Sequence, residues 1–235
     1  MELTERELRS LLNDVDDSHR EGIGELPGQI AELHHGEGRS LRVGHAAKLG
    51  GAGLAVAVGS ALIPVVGLVR AHAQEGDAGI AAFAESVELA AVEAYKAAAA
   101  SGKVTTQAVL DAATMFAGHH TEHAAAFGSA AGSAASKKPN PKLLAAVAGQ
   151  LSSAADEKAV IKIAFDLEQA AAATYLFALG ALTSAAALQL TASILPVEAQ
   201  HAVVLGQVLA LDAGMYLPTF ETQDAAVNPS DYPIA

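Results

Sequence analysis

Apolar positions recur at three- and four-residue spacing through most of the second half of the chain, and the pattern breaks only at short stretches containing Gly, Ser or Pro. It predicts four long helices, at Asp77 to Ser101, Thr105 to Ala130, Asp156 to Leu182 and Ser184 to Leu211. Ser101-Gly102 ends the first. Thr105 or Thr106 suits the N-cap of the second, because a hydroxyl can satisfy an unpaired N–H of the first turn. The stretch GSAASKKPNPK is too rich in Gly, Ser and Pro to be helical throughout, and a short helix near Leu143 to Leu151 comes after it. Residues 212–235, with Pro218, Pro229 and Pro233, read as an extended tail.

Short connections after the first and third long helices imply two antiparallel hairpins, and the stretch 131–155 is long enough to return along a bundle as a crossover. The predicted fold is all-α, with a four-helix bundle over residues 74–211 and an N-terminal helical or signal-like extension.

Upstream the pattern changes twice. Residues 1–48 form a polar, acidic extension; within it 3–35 have a weak apolar period (Leu8, Leu11, Leu12, Val15), interrupted near Gly22 to Gly28 and by Pro27, and no function attaches to it. The segment 49–73 is different, since residues 49–69 carry no charge, have Pro64 among them, follow Arg42 and Lys48, and lead to the small-x-small sequence Ala71-His72-Ala73. Three readings fit: a cleaved export signal cut before Gln74, a retained membrane anchor, or a buried helix. The glycine-rich stretch ahead of it resembles twin-arginine export signals, but Arg39 has no arginine beside it. The expected location is exported or membrane-anchored in a bacterial cell envelope, with membrane association through 49–69.

Composition narrows the partners. Apolar residues make up 51% and aromatic ones only 4%, which suits helices packed through alanine. The net charge is −12, and residues 74–235 hold sixteen acids against seven lysines and no arginine, so there is no basic face for nucleic acid. Without cysteine, disulfides and thiolate sites are excluded, and His, Asp and Glu are the remaining ligand chemistry.

Those residues fall into a repeat. Glu88 is followed seven positions on by Tyr95, and Glu168 seven positions on by Tyr175; His120 and His123 come after the first segment, Glu198 and His201 after the second. Glu88 is thirteen residues before Ser101 and His120 fifteen after Thr105, so both lie roughly 20 Å from the same turn. Glu168 and Glu198 are each fourteen residues from the ends of their own connection, and again come out level. The i, i+3 spacing stacks each ligand pair on one helix face, while His119 and Glu122 point elsewhere, to the bundle edge, to a contact behind the ligands or to solvent. Three carboxylates embedded in apolar stretches need a counter-charge, and a metal ion supplies one.

One Glu on each of two helices with Glu-x-x-His on the others is the pattern of the ferritin-like di-iron carboxylate proteins, which residues 76–211 resemble, in particular the exported bacterial ferritin-like domain type. The resemblance implies a ferritin-like bundle with Glu88 and Glu168 as outer ligands, Glu198 as a bridging carboxylate and His123 and His201 as terminal nitrogen ligands. It places Tyr95 and Tyr175 in hydrogen bonds behind the ligands. It further implies iron as the metal, mononuclear or dinuclear, with ferroxidase-type oxidation; zinc and manganese are the other candidate ions, and a homo-oligomer is compatible with it. His120 departs from the pattern, standing where a second Glu-x-x-His glutamate is expected. The greater imidazole share favours iron, zinc or copper over manganese. A competing reading is a non-catalytic envelope or stress-related bundle with a structural zinc site or no metal. Pro196, two residues before Glu198, is expected to distort its helix there.

Overall fold

The computed structural model describes residues 3–36 and 76–234, so the apolar run 49–69 and the junction at Gln74 lie outside the described residues. Six α-helices lie among the described residues: α1 (Glu5–Gly36), α2 (Gly76–Ala100), α3 (Gln107–Ala131), α4 (Pro141–Ser153), α5 (Glu157–Leu179) and α6 (Ala185–Val208). There is no strand among the described residues. The helix boundaries fall within a few residues of those predicted from the apolar period. No described helix is long and apolar enough to cross a membrane.

Local chemistry explains where the helices start. Asp156 and Ser184 accept from the backbone N–H groups of Ala159 and Ala187, at 2.8 and 3.2 Å. Asn140 does the same for Leu143, with Pro141 preset in the first turn of α4. The N-terminus of α3 departs from expectation. Thr106 occupies its N-cap but makes no side-chain cap bond; Glu157 instead accepts from the N–H groups of Thr105 and Thr106 at 2.6 and 2.9 Å. A carboxylate is the stronger acceptor and suits the positive end of a helix, so it displaces the hydroxyl. Asp77 repeats the device on the other hairpin, accepting from the N–H groups of Thr183 and Ser184 at 2.9 and 2.6 Å. The first turn of each hairpin thus holds the connection of the other.

α2 pairs with α3 and α5 with α6, giving the two expected hairpins. The crossover carries α4 against α2 and is pinned by buried Asn140, whose N–H donates to the Ser86 carbonyl at 2.8 Å and whose amide donates to the Tyr232 carbonyl at 2.8 Å. Residues 212–234 lie on the bundle: the Val227 N–H donates to Thr174 at 2.7 Å, and Tyr216 covers Gly206 so closely that a Cβ there would sit 2.6 Å from its ring.

α1 packs across α6 and α3, burying Leu8, Leu12, Val15 and His19, and Arg9 binds Asp111 at 2.6 Å. It runs unbroken through Gly22, Gly24, Pro27 and Gly28, where an interruption is predicted. Proline removes one backbone donor and each glycine costs about 1 kcal/mol, which weakens a helix without ending it.

Candidate metal centre

Glu88 from α2, His120 and His123 from α3, Glu168 from α5, and Glu198 and His201 from α6 meet at mid-bundle, each fully buried. They form two overlapping groups, Glu88–His120–His123–Glu198 and His120–Glu168–Glu198–His201, each with ligand atoms within 4.8 Å of one another, and each could hold a metal ion. Glu198 and His120 belong to both. Glu198 turns one oxygen to His123 Nδ1 at 2.9 Å and the other to His201 Nδ1 at 3.6 Å. His120 turns Nδ1 to Glu88 at 2.6 Å and Nε2 to Glu168 at 3.1 Å. The imidazole therefore occupies the place between the two outer carboxylates. Pro196 lies inside α6 and does not end it, and Glu198 and His201 still reach the centre.

The tyrosines are exchanged between hairpins. Tyr95 donates to Glu168 and Tyr175 donates to Glu88, so each carboxylate is held by the phenol of the opposite hairpin. Burial, with Glu168 beside Tyr95 and Glu88 beside Tyr175, pushes both phenols well above their ordinary range, and they remain protonated donors.

Charge organises the rest. Burial raises the carboxyls, but His120 and His123 outweigh it and hold Glu88 at about 2, while His120 and His201 hold Glu168 well below the usual range. Conversely, burial lowers the imidazoles, yet Glu198, Glu168 and Glu88 keep His120 well above 6.5, Glu88 and Glu198 bring His123 to about 9, and Glu168 keeps His201 raised. Protons on the imidazoles offset the charge of Glu88 and Glu168 where divalent cations would otherwise do so.

Both oxygens of Glu198 and both ring nitrogens of His123 lack a hydrogen-bond partner, although they are buried. The 2.9 Å approach of His123 to Glu198 is close enough for an ion pair but poorly aligned for a hydrogen bond. Orphaned buried donors and acceptors cost about 1–3 kcal/mol each. A cation ligated by the lone pairs of both residues removes that cost, so the donor set fits a metal.

The ferritin-like domain profile matches residues 76–211. The chain belongs to this family. No curated protein and no solved structure matches it. The matched span begins and ends with the bundle, so α1 lies ahead of the ferritin-like domain proper.

Around the ferritin-like centre, α1 supplies Asp16 and His19, which sequence reasoning passed over. His119 of α3, for which an edge contact, a contact behind the ligands or solvent exposure is expected, takes the second of these: it is buried at 3% exposure, its Nδ1 lies 2.9 Å from His201 Nε2, and its Nε2 lies 3.4 Å from Asp16 of α1. Helix geometry correctly turned His119 away from His120, but α1 covers the face to which it points. His19 stacks on His119 with ring centroids 3.7 Å apart. Its place was legible in principle, since Leu8, Leu12 and Val15 continue at helical spacing to His19. Burial, with the charges of His123 and His201, pushes His19 down to about 4; burial, with His201 and His19, takes His119 to about 2, so both stay neutral at pH 7. Phe116 stacks on His201 at 4.0 Å.

The opposite side of the centre is apolar. A cavity of about 20 Å³ between α2, α4 and α5, lined by Ala90, Ala94, Leu143, Val147 and Ala171, touches Glu88, His120 and Glu168. It has room for about one water-sized molecule.

Proposed function

We propose that this ferritin-like protein binds one or two divalent ions, iron foremost, at the mid-bundle centre, and that ferrous iron is oxidised there with dioxygen or peroxide as the electron acceptor. The observation that carries the reading is the pair of overlapping ligand groups sharing Glu198 and His120, with Glu198 and His123 otherwise unpartnered. Iron supplies the redox chemistry. The chain's own part is to fix the donors: Tyr95 and Tyr175 orient the outer carboxylates, Glu198 faces both groups, and Phe116 and the surrounding alanines exclude bulk water. The apolar cavity beside Glu88 and Glu168 suits a small neutral oxidant.

A structural zinc site is the second reading, and His120 favours it, since exchanging a carboxylate for an imidazole suits zinc and lowers the anionic charge available to stabilise a ferric product. Elemental analysis after purification without added metal, followed by oxygen uptake on adding ferrous iron, separates the two. Iron content with oxygen uptake supports the first; zinc content with no uptake supports the second. Glu168→Ala and His201→Ala are the controls, and full metal retention by both would contradict the ligand assignment. Export belongs to the same proposal, supported by the sequence of 49–73; a mature N-terminus at Gln74 tests it. Cleavage there would remove α1, whereas an intact N-terminus would mean that 49–69 is retained as an anchor and that α1 stays on the bundle as a working part of the protein.

A further inference from the structure

A second group of metal-capable side chains lies outside the mid-bundle centre, where α1 crosses α3. His19 is buried at 2% exposure, and neither of its ring nitrogens has a hydrogen-bond partner. Its Nε2 faces Glu122 Oε2 at 3.4 Å, and the Glu122 side chain is 54% exposed. Two ligand atoms bound about 2.1 Å from one tetrahedral ion stand about 3.4 Å apart, so this pair is spaced to share a cation. On its inner side His19 meets the ring of His123 edge-on at 5.1 Å, and His123 is itself unpartnered and reaches Glu198. Ligand atoms therefore run stepwise from solvent to the centre: Glu122, His19, His123, Glu198.

We infer that His19 and Glu122 form a loading station, through which a hydrated divalent cation passes from solvent to the mid-bundle centre. The inference rests on the reading of that centre as a metal site and applies to the chain that keeps its N-terminus, in which α1 is present. Two protein ligands hold an ion weakly enough to release it, as a transfer station requires, whereas each inner group offers four. The exposed carboxylate draws the cation in, and the His19 nitrogen replaces part of its water shell before it reaches the buried residues. The opposite cavity, lined mainly by alanine, leucine and valine, offers a hydrated cation no such exchange.

The test is stopped-flow uptake of cobalt(II), followed by the visible absorption of the bound ion, in the full chain and in Glu122→Gln and His19→Phe. Phenylalanine keeps the stacking on His119 and removes both nitrogens. The expected result is loading slowed by on the order of tenfold or more in each variant. Final stoichiometry and bound spectrum should stay unchanged, with less salt dependence in Glu122→Gln. Unchanged loading rates would overturn the inference, and so would a lower stoichiometry or an altered spectrum, because the residues would then belong to the centre itself. If the native protein binds no cobalt, the metal-centre reading fails and the loading station with it. Glu122 is exposed, so Glu122→Gln decides the question even if His19→Phe does not fold.

Discussion

Tyr175 on α5 donates its hydroxyl hydrogen to Glu88 on α2, across the bundle and 87 positions back along the chain. Tyr95 on α2 returns the contact to Glu168 on α5. This exchange ties the repeat in the sequence to a two-fold arrangement in space: the tyrosine two turns beyond the glutamate of one hairpin secures the glutamate of the other. Asp77 and Glu157 make the same exchange at the ends of the bundle.

Tyr175→Phe removes the donor and leaves a buried Glu88 oxygen without it. The variant is expected to lose about 1–3 kcal/mol of stability in the metal-free protein, measured by chemical denaturation. Metal affinity should fall by roughly 10–100-fold, because an outer carboxylate loses the group that orients it. An unchanged affinity would show that the phenol only fills space.

The metal-free protein should be most stable near pH 6.5. His123, raised to about 9, holds a proton that the unfolded chain releases above 6.5; its contribution is full below 6.5 and is lost as pH rises through about 9. His19 and His119 act in the other direction. Their folded values of about 4 and about 2 lie below the unfolded 6.5, so their contribution is present above 6.5 and declines as pH falls. Glu88, held at about 2 against 4.5, adds stability above 4.5 that is lost as pH falls through about 2. Melting temperatures across pH 4 to 9 check this; a monotonic profile would contradict it.

Metal binding should release protons. His120, His123 and His201 are raised in the metal-free centre, so a cation displaces hydrogen ions from them near neutral pH. Calorimetric titration in two buffers of different ionisation heat measures the number released, and binding should strengthen as pH rises from 6 to 8. The alkaline loss of stability predicted for the metal-free protein should also disappear on loading. Binding without proton release would contradict the charge arrangement described for the centre.

His120→Glu is expected to split stability from binding. It places a fourth carboxylate between Glu88 and Glu168, which should destabilise the metal-free protein by several kcal/mol through unpaired buried charge. The same change matches the charge of two divalent ions and should raise manganese uptake relative to the native chain. Melting temperature and metal content per chain read the two effects separately.

Much of the architecture was legible in the sequence. Helix spacing gave α2 to α6 because each buries one continuous apolar stripe, and equal distances from the turns brought Glu88, His120, Glu168 and Glu198 to one level. The i, i+3 pairs did the rest, since that spacing depends on the helix alone. The features that escaped were set by neighbours that no local pattern reveals. Among the places open to His119, α1 decides by covering it, and His19, though in step with Leu8, Leu12 and Val15, belongs to a helix whose apolar period is too weak to show what it packs against. The cap of α3 came from Glu157, more than fifty residues downstream of Thr105, where a hydroxyl next to the helix was the local expectation.

The central claim is that the mid-bundle residues ligate metal, and anomalous diffraction from crystals of protein purified without added metal tests it most directly. One or two peaks are predicted among Glu88, His120, His123, Glu168, Glu198 and His201, with Glu198 beside every peak. A centre without anomalous signal, in crystals soaked with ferrous iron and with zinc and with the six side chains still paired among themselves, would contradict the claim.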